Sequence, residues 1–335
     1  MITAFQHIGI GVHDVDETYD FWRNKLGFKM KLNDHTGYDE QMESILGERC
    51  EMRMLMAMNV AGGGAIEVVQ HTSTTPKEPP SPVEWGDIGI LEVGVKAFRL
   101  DEVFDHLKGG GVHFVTGIKS MKLDGGKTVR YAYLRDPDGL LVQLVEDPAG
   151  NRRRVGGISH VAVGVTDLDA AKDFYSNVLG FDQFLLETDD FIGPEEVTGG
   201  KKTRMAIMHQ PHHLKSSLPV LEPGSVRLVQ TPDFEGKHTF EGRRWGDIGC
   251  MEFALDVDDV KSTFEKAVAE GAESYQPPTL MDMGSGSVGS FAYVKDPDGN
   301  TVEMVEVNKV MFVSPSVMKN VVYWPMKAAA RVGIL

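Results

Sequence analysis

The 335-residue chain holds only two cysteines, Cys50 and Cys250. That is too few for a disulfide framework, and their spacing is not that of a thiolate metal site. No run of about eighteen apolar residues occurs, which excludes a transmembrane helix. Positive charge is also scarce: 34 Lys and Arg stand against 49 Asp and Glu, a net charge of −15. This balance argues against a nucleic-acid binder and against charge-driven docking on anionic membranes. The opening MITAFQHIGIGV enters a strand pattern at once, leaving no room for a charged segment followed by an apolar signal core. A soluble protein of a reducing, cytoplasmic compartment is expected. The composition that remains, 41% hydrophobic and 25% charged, is globular, and the length allows two domains with a core each.

The chain says several things twice. Trp85–Glu92 reads WGDIGILE and Trp245–Glu252 reads WGDIGCME. Downstream of each comes a second echo, YLRDPDGLLVQLVE from Tyr133 and YVKDPDGNTVEMVE from Tyr293. Ile158–Phe181 matches Phe5–Phe28 without a gap, setting His160 on His7 and Leu179-Gly-Phe181 on Leu26-Gly-Phe28. Repetition of content at a fixed order is the mark of internal duplication.

Within the first repeat, HIGIGV reads as a strand, and Asp14 with Glu17 three residues on reads as the capped start of a helix that Gly27 ends. Strands are expected near Phe28–Leu32, Cys50–Met58 and Ala65–Gln70, with Asn33–Leu46 as loop and His71–Pro82 as linker. A second unit follows: strand Ile90–Val95, helix Leu100–Leu107, and strands near His113–Val115, Thr128–Leu134 and Leu140–Val145, the last two joined by an Asp136-Pro-Asp-Gly139 turn. Both units are βαβββ, and after the basic connector Asn151–Gly157 both recur. The expected class is α+β, with an N-terminal domain over 1–148, a C-terminal domain over 155–308 and a tail over 309–335 that straps apolar residues onto a domain face. The alternating Met52, Met54, Met56 and Met58 are read as one inward strand face.

The combination of H-I-G-I-G-V, an Asp-rich helix start, L-G-F and D-P-D-G-x-x-x-E, all repeated, resembles the vicinal oxygen chelate superfamily, which includes glyoxalases, bleomycin resistance proteins and extradiol dioxygenases. The resemblance spans residues 5–307. It implies four βαβββ units paired into two glyoxalase-like domains, each an open sheet curled around a cavity that holds one divalent ion (Fe, Mn, Co, Ni, Zn or Mg). It further implies a small-molecule substrate with adjacent oxygens, no nucleic-acid or membrane partner, and a possible homodimer. Carried over residue by residue, the family's ligand positions fall on His7, Glu67, Glu92 and Gln143 in the first half, and on His160, Arg227, Glu252 and Glu303 in the second. The resemblance favours His160, Glu252 and Glu303 as the metal ligands, with His7, Glu67 and Glu92 as a second candidate site. Arg227 at the fourth corner could instead pair with Glu252 and Glu303 in a metal-free core.

Glu252 and Glu303 are then the candidate proton-transfer groups. Arg53 and Arg204, which coincide between the repeats, are candidates for a substrate carboxylate or phosphate, as is Arg227. Tyr293 could supply a hydroxyl. Three activities stay open. The first is metal-assisted proton transfer of the lyase, isomerase or epimerase kind. The second is Fe(II) extradiol ring cleavage, although GSGSVGS before Tyr293 lacks the histidine that such relatives carry there. The third is non-catalytic binding of a small molecule.

Overall fold

The computed structural model describes residues 1–149, 154–210, 216, 218–284 and 287–309, with 317, 321, 322, 324, 325, 328 and 329 of the C-terminal stretch. The tail expected to act as a strap lies almost wholly outside the described residues.

Unit one runs β1 (Ile2–Gly11), α1 (Val15–Asn24), β2 (Met30–Tyr38), a single helical turn α2 (Glu43–Leu46), β3 (Glu51–Met58) and β4 (Ala65–His71). Unit two runs β5 (Gly89–Phe98), α3 (Leu100–Gly109), β6 (Lys119–Lys122), β7 (Thr128–Arg135) and β8 (Leu141–Glu146). Unit three runs β9 (Arg154–Gly164), α4 (Leu168–Asn177), β10 (Gln183–Ile192), α5 (Glu195–Thr198), β11 (Lys202–His209) and β12 (Ser225–Gln230). Unit four runs β13 (Gly249–Val257), α6 (Val260–Ala269), β14 (Glu273–Gly284), β15 (Ser287–Lys295) and β16 (Thr301–Lys309).

The local signals work as their chemistry dictates. The Asp14 carboxylate accepts from the backbone N–H of Asp16 and Glu17, and Asp167 does the same for Asp169 and Ala170, capping α1 and α4. Two expectations change. Asn33–Tyr38, read as loop, continues β2 and pairs with β3 (Thr36 opposite Arg53, Tyr38 opposite Glu51). It is an edge strand, and an edge tolerates polar sequence because one flank meets water. His113–Val115 contributes only a bridge from Phe114 to Leu134, and β6 forms further on at Lys119–Lys122.

The larger correction concerns pairing. The strands form two eight-stranded sheets, ordered β14-β15-β16-β13-β1-β4-β3-β2 and β10-β11-β12-β9-β5-β8-β7-β6. Unit one therefore completes its sheet with unit four, and unit three with unit two. The halves 1–148 and 155–308 do not each close a bowl of their own. The seam of each sheet is an antiparallel pair of first strands, β1 with β13 and β5 with β9.

The WGDIG repeat holds this exchange in place. Buried Asp247 accepts from the N–H of Lys77 at 2.8 Å and of Arg244 at 2.8 Å. Buried Asp87 accepts from Lys237 at 3.0 Å and Glu84 at 2.8 Å. Each aspartate thus grips the linker of the opposite half. A Cβ on Gly11 would lie 1.9 Å from the Asp247 carbonyl oxygen, and one on Gly164 1.7 Å from that of Asp87, so both strands need glycine where the motif crosses.

The DPDG turns join units within a half. Asp136 takes the N–H groups of Asp138 and Leu140 and the Trp22 indole of α1 (3.2 Å), and Asp296 takes those of Asp298 and Asn300 and the Tyr175 hydroxyl of α4 (3.0 Å). One apolar core, including Trp22, Leu107, Tyr175 and Phe264 of the four long helices, runs behind both sheets. Among the described residues, no helix is long and apolar enough to cross a membrane.

Because each seam joins strands from different halves, fragment 1–149 is expected to be stable only with fragment 150–335 or as a strand-swapped dimer. Light-scattering chromatography of the separately and jointly expressed fragments checks this. A monomeric 1–149 with native strand content would contradict it.

Candidate metal centre

Four acidic or imidazole side chains meet at the seam of the first sheet. In register, Gly9 of β1 lies between Glu67 of β4 and Glu252 of β13. Ala254 of β13 lies between His7 of β1 and Glu303 of β16. Two small residues thus leave room for four functional ones on the concave face. The space is tight: a Cβ on Gly9 would sit 2.6 Å from Glu252 Oε1 and 2.8 Å from its Cγ.

His7 Nε2 lies 3.1 Å from Glu303 Oε2, 3.8 Å from Glu67 Oε2 and 3.9 Å from Glu252 Oε1. None of the four residues is more than 6% exposed. His7 Nδ1 bonds the Gln6 side-chain oxygen, which keeps the proton there and turns the Nε2 lone pair toward the carboxylates. As a result His7 Nε2, Glu252 Oε1 and Glu303 Oε2 are buried with no hydrogen-bond partner among the described residues. Lone pairs facing one another at these distances repel unless a proton or a cation stands between them.

Glu252 is anchored through its other oxygen, which accepts from the Trp245 indole at 2.8 Å. The tryptophan of the WGDIG motif is therefore a site residue that sequence reading used only as a marker, as is Gln6. Tyr293 stands opposite Glu303 in the β15–β16 register, its hydroxyl held neutral by burial and by the surrounding carboxylates.

The donor set passes a chemical test for a divalent ion. Bonds of about 2.1 Å put neighbouring ligand atoms about 3–4 Å apart, and the ligand atoms of His7, Glu67 and Glu252 all lie within 4.8 Å of one another. Three carboxylates and a neutral imidazole carry a formal −3, which an ion of +2 would reduce to −1. Carboxylate oxygens with one imidazole suit Mg, Mn, Fe, Co, Ni or Zn over a thiolate-seeking ion. Without a cation, protons take its place. Burial and neighbouring negative charge push Glu67 up to about 8 and Glu252 up to about 7. Burial opposes charge on His7, but Glu303, Glu252 and Glu67 raise it well above its ordinary value.

The second sheet repeats the geometry with other residues. Gly94 lies between Gln143 and His160, and Ala162 between Glu92 and Arg227. Here Arg227 Nη1 bonds Glu92 Oε1 at 2.6 Å and the Tyr133 hydroxyl at 3.3 Å, while Nη2 bonds Gln143 Oε1 at 3.1 Å. His160 Nε2 lies 3.3 Å from Glu92 Oε1. Burial would raise Glu92, but the Arg227 charge and His160 hold it below its usual range.

The ligand sets expected from sequence therefore exchange members. His160 meets Glu92, not Glu252 and Glu303; His7 and Glu67 meet Glu252 and Glu303, not Glu92. Arg227 pairs with Glu92 instead of Glu252 and Glu303. All eight residues lie in one bowl or the other, and their grouping follows the sheet pairing. Arg53 and Arg204, expected as substrate groups, lie outside both clusters in ion pairs of their own. Arg53 bonds Asp16 of α1 at 2.5 Å and Asp34 at 3.4 Å, and Arg204 bonds Asp169 of α4 at 3.1 Å and Asp189 at 2.7 Å. Both lie on the helix side of their sheets, clamping helix to strand.

Met52 and Met54 do face the first bowl, where they pack with Met42, Ile45, Leu46, Trp245 and Tyr293. The α2 segment is tied across to β14 by Ser44 Oγ to Gln276 (2.8 Å) and by Tyr275 Oη to the Ile45 carbonyl (3.2 Å). A cleft of about 380 Å³ beside it is lined by Trp245, Met251, Tyr275 and Lys295, and a larger one of about 640 Å³ borders the second bowl at Trp85, Leu141 and Val197.

With two sheets of this topology and two pseudo-equivalent centres established, comparison with known proteins becomes informative. The model of the Glyoxalase/Bleomycin resistance protein/Dioxygenase superfamily matches residues 4–144 and 157–304. The chain belongs to this superfamily. Among solved structures, glyoxalase I from Zea mays is similar with a TM-score of 0.57 at 16% identity, over 90% of this chain and 92% of that one. A candidate dioxygenase from Bacillus subtilis is similar with a TM-score of 0.59 at 13% identity, over 100% of this chain and 97% of that one. Comparison with curated protein sequences finds no match. At these identities the structural likeness is one of fold.

Two predictions follow from the contrast between the bowls. For the raised groups Glu67, Glu252 and His7, the folded chain holds protons that the unfolded chain releases, so stability falls as pH rises from about 4.5 through about 8. Chelator-treated protein should thus melt lower at about pH 8 than at about pH 5, and an added divalent ion, which competes with those protons, should raise Tm more at the higher pH; a pH-scanned melt reads both. In the second bowl, Arg227→Met leaves Glu92 buried without a cation and should cost about 3–5 kcal/mol in urea unfolding, with Glu92→Gln in the same chain recovering much of it.

Proposed function

We propose that the chain is a metal-dependent enzyme that transfers a proton on a small substrate bearing two neighbouring oxygens, at the centre formed by His7, Glu67, Glu252 and Glu303. The observation that carries this reading is the convergence of three buried atoms with no hydrogen-bond partner among the described residues, His7 Nε2, Glu252 Oε1 and Glu303 Oε2. A fully buried set of this kind is stable only with a cation or with protons, and both states are useful for acid–base chemistry. When bound, a divalent ion supplies Lewis-acid polarisation to the substrate oxygens.

The chain's own groups divide the remaining work. Gln6 fixes the His7 tautomer, leaving Nε2 free to ligate. Trp245 holds one oxygen of Glu252 and so fixes its rotamer. Glu303 is the group assigned to take and return the proton, with the neutral Tyr293 hydroxyl beside it as a donor to developing negative charge on oxygen. The apolar wall of Met42, Ile45, Met52, Met54 and Phe291 keeps water from the reacting carbon. Extradiol ring cleavage is the alternative. The absence of histidine from Gly284–Ser290, ahead of Tyr293, weighs against it.

Protein purified without chelator should carry a divalent ion, and His7→Ala or Glu303→Gln should reduce its content. Trp245→Phe keeps every ligand and should weaken affinity about 10–100-fold. With substrates that carry a C–H beside two oxygens, proton transfer is read by solvent deuterium exchange in NMR, and Glu303→Gln should slow it about 10²–10⁴-fold. No ion bound or taken up would remove the enzyme reading. Oxygen uptake with a catechol and Fe(II) would move it to ring cleavage.

A further inference from the structure

The second bowl keeps the frame of the first and changes its charge. His160 stands where His7 does and Glu92 where Glu252 does, each on the equivalent strand in the equivalent register. The positions of Glu67 and Glu303 are taken by Arg227 and Gln143. Two carboxylates have thus become one guanidinium and one neutral amide. The first bowl sums to a formal −3 with neutral His7. The second sums to zero, −1 from Glu92 and +1 from Arg227, with burial keeping His160 neutral.

The guanidinium does more than balance charge. Its two terminal nitrogens reach Glu92 (2.6 Å), Gln143 (3.1 Å) and the Tyr133 hydroxyl (3.3 Å). These are the counterparts of Glu252, Glu303 and Tyr293, the groups that surround the unpartnered atoms of the first bowl. Gln143 Nε2 also donates to the Tyr133 hydroxyl at 2.6 Å. His160 turns accordingly: its Nε2 faces Glu92 as a donor and its Nδ1 meets the Ser159 hydroxyl at 3.0 Å, whereas His7 has Nδ1 on Gln6 and Nε2 unpartnered. The residue before each histidine, Gln6 or Ser159, matches that difference in tautomer.

We propose that the second bowl is a cation site whose cation is the side chain of Arg227. The chain then binds a single divalent ion, at His7, and the second bowl returns to a divalent-ion site when Arg227 and Gln143 are both replaced by glutamate. The stoichiometric part rests on the reading of the first bowl as a metal centre; the conversion of the second bowl does not. A guanidinium is planar, always charged and presents its donors in a fixed fork. In a closed sheet seam it therefore pairs the carboxylate from within the chain, with no dependence on metal supply.

The test counts ions on the full-length protein, loaded with Co²⁺ and desalted, by elemental analysis and by the visible absorption of the bound ion. Wild type should hold one ion per chain and Arg227→Glu/Gln143→Glu two, with His7→Ala in the double variant removing one of the two. A folded double variant that still holds one ion overturns the proposal. So does a wild type holding two, or one whose ion is lost on His160→Ala. Those last measurements decide the matter even if the double variant fails to fold. A wild type that binds no ion while the double variant binds one would remove the metal reading of the first bowl and leave the assignment of Arg227 standing.

Discussion

A carboxylate in the middle of a β-sheet, beyond the reach of water, must have a positive partner, and this molecule meets that demand at both of its seams. Glu252 and Glu92 come from the first strands of units four and two, and each is fully buried. Desolvation of such a group costs several kcal/mol unless a cation, a proton or strong donors compensate it. In the second bowl Arg227 supplies compensation from within the chain. In the first, two further carboxylates crowd the same point, so compensation has to come from outside. That same burial, with negative neighbours, raises the proton affinity of Glu67 and Glu252.

Around that demand the backbone is arranged for close approach. Gly9 beside Glu252 and Gly94 beside His160 leave space that any Cβ would fill. Because the register sets a small residue between two large ones, four side chains from four adjacent strands converge on the concave face. The Trp245 indole then spends its one donor on Glu252, whereas Trp85, its counterpart, donates to Thr203 at 3.2 Å. The tryptophan holds the glutamate in the bowl that has no guanidinium, and Glu92, already held by Arg227, does without it.

Exchange of strands between halves is the other organising fact. Asp87 and Asp247 each hold the linker of the opposite half through backbone N–H groups, and Phe5, Phe253 and Tyr175 stack across the joint, with centroids 5.8 and 6.3 Å apart. The cluster in the first bowl is therefore made of residues nearly three hundred positions apart in the chain, from His7 to Glu303. Neither half contains all four of the side chains that meet in the first bowl.

The sequence by itself determined the duplication, the βαβββ order, the caps at Asp14 and Asp167, and the identity of all eight positions that face the two bowls. Those are local properties: a glycine-spaced strand, a capped helix and a DPDG turn are written in contiguous residues, and an ungapped repeat carries one position onto another. It did not determine which positions share a bowl, because strand pairing across linkers is not written in contiguous residues. Only the tertiary structure decided that, through the reciprocal grip of Asp87 and Asp247 and the fit of Gly11 and Gly164 beneath them. The same decision gave Arg227 to Glu92 instead of Glu252, and so left His7 among three carboxylates with no guanidinium beside them.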